Sequence, residues 1–479
     1  MPEILNNFPA ISPDQEKLKK SRLKSDNSYA KYSNIDIDKV SASFGIALHM
    51  HQPTIPAGSD DLTKAALISN LEYMLGHPDV GDNHNAPVFL NCYQRMSDFI
   101  QEFVAKGKNP RVMLDYSGNL LWGLQQIENS KVIEKLKQVT TDSKYYPYLE
   151  WLGTMWSHAV VTSTPIPDIK LHIQAWQQHF ASIFGWEALS RVKGFSPPEM
   201  HLPIHPDACY EYIKALKECG YEWLMVQEHT VEYFDGSGIN RPHLPHKLVA
   251  KNSLGEVLEI TALIKTQGSD TKLIGQMQPF YEAQTRSRQN YCQSSVPEFV
   301  LQISDGENGG VMMNEFPPKY KEAFEQIGKE GVVGLNGSEY LALIKQKGIK
   351  GENFLEIQPI SQHRIWQNFD GFNKGAADKA IAKIKVNDNS FNLDKASWTS
   401  DKNWVAGYKD VLGPINELSV SFHQHFDSLT VLPNDPHYQE SLLYLLLSQT
   451  SCFRYWGQGL WTEYAKEICR RGKEAINKS

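Results

Sequence analysis

The sequence predicts an α/β fold built on parallel strands, arranged as a barrel or as a doubly wound sheet. Three observations carry that expectation. Seven short apolar runs recur beyond Ser43, helical patterns fill several of the gaps between them, and polar clusters follow four of the runs. A chain of 479 residues is also long enough for a core of about 250 to 300 residues plus a smaller unit.

The runs are Phe44 to Leu48, Val112 to Leu114, Leu149 to Met155, Val192 to Phe195, Trp223 to Val226, Val257 to Ile264 and Phe299 to Ile303. Each is of strand length and bounded by polar, Gly or Pro residues. Between them, Asn119 to Gln138, Leu171 to Phe184 and Pro206 to Glu218 read as helices, the last opened by a Pro suited to the first turn. Residues 1–40, including KLKKSRLKSDNS, are polar with weak periodicity and read as a mobile tail or a surface strap. Residues 41–345 form the expected catalytic unit. Residues 346–479 form an expected, largely helical C-terminal unit that contributes to the rim of the site. Within it, Gly348 to Asn403 carries only weak strand and turn signals, whereas Asp435-Pro436 reads as an N-cap and first helical residue before SLLYLLLSQ.

Composition narrows the function. With 41% hydrophobic, 22% charged and 11% aromatic residues, the chain falls in the globular class. A net charge of -7 with scattered Lys and Arg argues against nucleic acid. No window approaches the roughly 20 apolar residues of a membrane span, and the first residues lack a signal-peptide pattern, so a cytoplasmic protein is expected. Six scattered cysteines without a C-x-x-C pair suggest neither a disulfide scaffold nor a zinc site.

In a barrel of parallel strands, catalytic groups sit where the strands end and the chain leaves the packed core. His49 and His51 end the first run in GIALHMHQP, and Ser157 and His158 follow the third in GTMWSHA. Glu199 follows the fourth in GFSPPEMHLP, and Asp305 and Glu307 follow the last in LQISDGENGG. Singly, each has a plain structural reading: a strand-end His is commonly hydrogen-bonded scaffold, and Asp-Gly-Glu-Asn-Gly-Gly suits a turn. Glu199 stands apart because Pro197, Pro198 and Pro203 stiffen its loop. Two carboxylates at strand ends are what retaining glycoside cleavage requires, one as nucleophile and one as proton donor. Trp122, Trp151, Trp156, Tyr455, Trp456 and Trp461 offer faces on which a pyranose can stack.

These segments resemble glycoside hydrolase family 57, which holds α-amylases, 4-α-glucanotransferases, amylopullulanases and α-glucan branching enzymes. The resemblance spans about residues 45 to 465. It rests on HMHQP (His49 to Pro53), MWSHAVV with His158, GFSPPEMHLP with Glu199 and ISDGENGG with Asp305, in the family's order and spacing. It implies a (β/α)7 barrel with a helical C-terminal region, a retaining mechanism on α-glucans through a covalent glycosyl-enzyme, and no metal or other cofactor. It further implies Glu199 as nucleophile, Asp305 as general acid/base, and His49, His51, Gln52, His158, His201 and Trp456 as substrate contacts. In QTSCFRYWGQG, Cys452 stands where the family often carries an acidic residue.

Two other readings are open on the residues. His49-x-His51 with His158, His201 and Asp305 is also a set that can hold a metal in a metal-dependent hydrolase. A non-catalytic glucan-binding protein on the same scaffold is the second, against which both retained carboxylates speak.

Overall fold

The computed structural model describes residues 8–23, 28–128, 130–266, 272–307, 314–394, 409–429, 432, 434–455 and 459–478. The fold is mixed α/β. Seven strands follow the seven apolar runs: β1 (Val40–Met50), β2 (Val112–Tyr116), β3 (Leu149–Trp151), β4 (Gly194–Phe195), β5 (Trp223–Gln227), β6 (Val257–Lys265) and β7 (Ser294–Asp305). All their mutual pairings are parallel: β3 with β2, β2 with β1, β1 with β7, β7 with β6, β6 with β5, and β5 with β4. One parallel bridge, Gly153 to Phe195, links the residues just past β3 to β4.

The strands are apolar on both faces because both are covered, as parallel sheets require. On one face, Phe44, Ile46 and Leu48 of β1 pack with helix residues such as Phe103, Phe280 and Phe324. On the other, Ala47, Met113, Met225, Leu263 and Leu301, one from each of five strands, share a second cluster with Leu152 and Met200. Gly45 belongs to this tight side: a Cβ there would lie 2.5 Å from the Phe299 ring. Beneath the amino ends of the strands, Arg111 makes a bidentate buried pair with Glu339, at 2.7 and 2.9 Å. This scaffold lies at the opposite end of the strands from the polar clusters.

Several elements differ from the sequence expectation. Asn119 to Gln138 is two helices, Gly118–Gln126 and Val132–Thr141, because the backbone turns extended at Ile127. The run Leu149 to Met155 is a strand only to Trp151, and Val192 to Phe195 only over its last two residues. In both, the apolar residues beyond the strand are buried in loops, so burial does not distinguish the two. Residues 348–394 hold a strand, Leu355–Pro359, and the helices Gln362–Trp366 and Ala376–Asn387.

Other elements follow their local chemistry. Asp435 caps the helix Pro436–Ser448, accepting a hydrogen bond from the Tyr438 N–H at 2.9 Å. The N-terminal segment is strapped to the body. It forms the helices Gln15–Leu23 and Ser28–Tyr32, buries Leu18, and bonds through Arg22 to Glu218 O, Tyr29 to Arg191 O and Ser33 to Glu339. Among the described residues no helix is long and apolar enough to cross a membrane.

Candidate active site

Parallel pairing brings the carboxyl ends of the strands together, and the polar clusters with them. In register, His49 of β1 is the partner of Asp305 of β7 on one side and of Asp115 of β2 on the other. Three adjacent strands therefore present Asp115, His49 and Asp305 side by side. His49 Nδ1 lies 3.1 Å from Asp115 Oδ2, so the ring donates to the carboxylate. The His158 ring stacks on both strand-end histidines, its centroid 4.2 Å from that of His49 and 4.6 Å from that of His51.

Glu199 reaches this cluster from the loop after β4. His201 N–H bonds to Pro198 O at 3.1 Å, closing a tight turn whose two central residues, Glu199 and Met200, both have positive φ, 54° and 52°. Turns of that hand favour Gly or Asn. A non-Gly residue there costs about 1 to 3 kcal/mol and persists only where the surroundings enforce it. The flanking prolines and buried Met200 supply that enforcement, and the strain falls on the carboxylate-bearing residue. The Glu199 side chain is 22% exposed, and its Oε1 lies 3.9 Å from His158 Nδ1. His158 itself has φ of 58°.

The remaining partners divide the histidines by role. Both ring nitrogens of His51 are engaged by hydroxyls, Ser117 Oγ at 2.7 Å and Thr450 Oγ1 at 3.1 Å. His158 Nδ1 is 2.7 Å from Ser451 Oγ, while its buried Nε2 has no hydrogen-bond partner among the described residues. His201 Nδ1 is 3.0 Å from Thr162 Oγ1, and Gln52 Oε1 accepts from Asn70 Nδ2 at 3.0 Å. Both oxygens of Glu307 accept the His51 backbone N–H, at 2.9 and 3.1 Å. Gly306 is required between the two acids: it donates to His49 O at 2.8 Å, and a Cβ there would lie 2.1 Å from Met50 Cε.

The electrostatics are those of buried, mutually constrained charges. Burial pushes Asp305 above the ordinary carboxylate range, partly offset by the His49 charge and reinforced by Asp115. Burial also pushes Glu307 well up. Burial alone would lower His49, but the charge and hydrogen bond of Asp115, with Asp305 and Glu307 behind, raise it to about 9. Burial and the His49 charge hold His51 and His158 well below the usual imidazole value, so they stay neutral. Cys452 is buried as a neutral thiol, its pKa raised by desolvation and by Glu199 nearby. A buried carboxyl whose pKa is raised, together with a more exposed carboxylate, is the combination that general acid and nucleophile roles need.

Of the expected site residues, His49, His51, His158, Glu199 and Asp305 gather past the strand ends, while Gln52 and His201 are engaged by Asn70 and Thr162. Trp456 lies outside the described residues, as does the side chain of Tyr455. Trp122, Trp151 and Trp156 are buried, and the indoles of Trp151 and Trp156 bond inward, to Thr140 and His179. They are core rather than stacking platforms. Asp115, Ser117, Thr450 and Ser451 escaped the sequence reading. Asp115 and Ser117 carried the same strand-end signal as His49, whereas Thr450 and Ser451 come from a distant helix junction with no local mark. Among the described residues no group of three or more His, Cys, Asp or Glu side chains is arranged to hold a metal ion.

Comparison with known proteins places the chain in a family. The sequence model of glycosyl hydrolase family 57 matches residues 9–264. No curated protein matches the sequence. Among solved structures, the 4-α-glucanotransferase of Thermococcus litoralis superposes with a TM-score of 0.53 at 15% identity, over 91% of this chain and 57% of that one. The chain thus spans little more than half of that enzyme's length. The α-amylase of Thermotoga maritima aligns with a TM-score of 0.49 at 10% identity, over 91% and 92%. The branching enzyme of Pyrococcus horikoshii aligns with 0.48 at 12%, over 91% and 88%. The family model covers more than half of the sequence and includes the HMHQP, SH and PPE segments that build the site, so the chain belongs to glycosyl hydrolase family 57.

Proposed function

We propose that this protein is a retaining glycoside hydrolase or transglycosylase acting on α-glucans, with Glu199 as nucleophile and Asp305 as general acid/base. The observation that carries the reading is the presence of two carboxyl groups in different environments past the carboxyl ends of β4 and β7, both reached through the stacked His49 and His158. Glu199 is partly exposed in a strained turn, and Asp305 has its pKa raised by burial against the opposing charge of His49. In the first step the Asp305 carboxyl gives its proton to the departing glycosidic oxygen while Glu199 attacks the anomeric carbon. In the second, Asp305 takes a proton from water or from a sugar hydroxyl, which displaces Glu199. The choice of acceptor separates hydrolysis from transfer.

The same reading treats the seven strands as a (β/α)7 barrel. Its support is the series of parallel pairings from β3 to β4 together with the Gly153 to Phe195 bridge, and the cluster that strand residues share on one face. The described part of residues 1–40 acts as a strap, 41–345 is the catalytic unit, and 346–479 is the unit that delivers Thr450 and Ser451 to His51 and His158. His49, His51, Gln52, His158 and His201 line or brace the cleavage subsite, with His158 Nε2 offered to a sugar hydroxyl. Six unpaired cysteines suit a reducing, cytoplasmic setting.

The test is incubation of chelator-dialysed protein with maltoheptaose, amylose and glycogen, with products resolved by chain length and linkage. New chain lengths should form, because a carboxylate-pair mechanism uses no metal. Unchanged glucans, or activity that returns only with added zinc or manganese, would count against the reading.

A further inference from the structure

Asp115, like Glu307, is an acid at this rim that the proposed chemistry does not use, and it is the one that hydrogen-bonds His49. It is 1% exposed. Its Oδ2 accepts from His49, and its Oδ1 has no hydrogen-bond partner among the described residues. A carboxylate taken out of water with one oxygen unmet is costly unless its remaining contact matters. Here that contact is His49, which the strand register places directly between Asp115 and Asp305. The groups facing His49 are Asp115 from β2, Asp305 and Glu307 from the end of β7, the stacked His158 from the loop past β3, and His51 on its own strand. Three of these are acids and two are neutral histidines.

We propose that Asp115 is a positioning residue, which holds His49 through Nδ1 as a fixed cation flanking Asp305 and leaves Nε2 as the nitrogen available to the site. This rests on Asp305 being the acid/base. When Asp305 gives up its proton it becomes a buried carboxylate, and a cation already oriented beside it stabilises that charge without rearrangement. Asp115 reaches no reacting atom and acts only through the imidazole. The fixed ring plane also sets the surface on which His158 stacks, and His158 Nδ1 lies 3.9 Å from Glu199.

The charge of His49 is read directly by NMR of protein labelled with ¹⁵N-histidine, with His49→Gln assigning its signal. At pH 8 an ordinary imidazole, with a pKa of about 6.5, is neutral. His49 should still be an imidazolium in the wild type, should become neutral in Asp115→Asn, and should recover its charge in Asp115→Glu. The second readout is the pH profile of kcat/KM on maltoheptaose. Loss of the near cation outweighs loss of the more distant Asp115 charge, so Asp305 holds its proton to higher pH in Asp115→Asn and the basic limb moves up. A neutral His49 in the wild type at pH 8, or an imidazolium that survives in Asp115→Asn, overturns the proposal. So does a folded Asp115→Asn that loses activity without moving the basic limb, since that is the mark of a merely structural residue. If Asp115→Asn does not fold, the wild-type and Asp115→Glu spectra decide through the presence or absence of the imidazolium. A wild type inactive on every glucan defeats the assigned function, while the NMR result still decides whether Asp115 holds the cation.

Discussion

Glu199→Ala is expected to lose activity on α-glucans by several orders of magnitude while melting like the wild type. The side chain sits at the rim, 22% exposed, so its removal opens no core cavity. The Pro-flanked turn and its positive φ remain with Ala in place, so the backbone strain is unchanged. What is lost is the atom that forms the covalent bond to the anomeric carbon. Azide should partly rescue the variant on an activated α-glucoside by entering from the vacated face, and the product should be the β-glycosyl azide. A tenfold loss corresponds to only about 1.4 kcal/mol. A folded variant that kept more than about a tenth of its activity would therefore exclude Glu199 as nucleophile.

Asp305→Asn should be nearly as damaging on glucans but far less so on substrates with good leaving groups. A general acid contributes about 10² to 10⁴ in rate, and only where the departing oxygen needs a proton. An aryl or fluoride leaving group departs without one, so the first step on an activated glycoside should be largely spared. Burial raises the Asp305 carboxyl above its ordinary range, and if its titration sets the basic limb of the wild-type profile, that limb should vanish in the variant. Equal losses on maltoheptaose and on an activated α-glucoside, in comparably folded protein, would contradict the role.

The candidate site is legible in the sequence because it depends on a local rule. Polar residues that interrupt an apolar run at its carboxyl end mark where a parallel strand leaves the core, and His49, His158, Glu199 and Asp305 all carry that mark. Asp115 carries it too, in VMLDYSGN, but without a second unusual residue beside it to draw notice. What escaped was information carried by distance. Thr450 meets His51 across 399 positions and Ser451 meets His158 across 293, and nothing near either hydroxyl announces the partner. The aromatics failed for a different reason. A Trp that stacks on sugar and a Trp that fills a core have the same neighbours in sequence, and Trp151 and Trp156 prove to be core. Element lengths erred where loops are as buried as strands, as in Leu152 and Met155, since apolarity reports burial rather than hydrogen bonding. Cys452, near Glu199 in place of an acid, is neutral and buried, so the two carboxyls at the strand ends carry the proposed chemistry without a third from that position.

The most direct measurement is mass spectrometry of the protein after incubation with 5-fluoro-α-D-glucosyl fluoride, whose ring fluorine slows release of a glycosyl-enzyme while the fluoride leaving group lets it form. A single adduct of one fluoroglucosyl unit is predicted, on the proteolytic peptide that contains Glu199, absent from Glu199→Ala and still formed by Asp305→Asn. An adduct on any other residue, or turnover of the reagent with inversion and no adduct, would contradict the account.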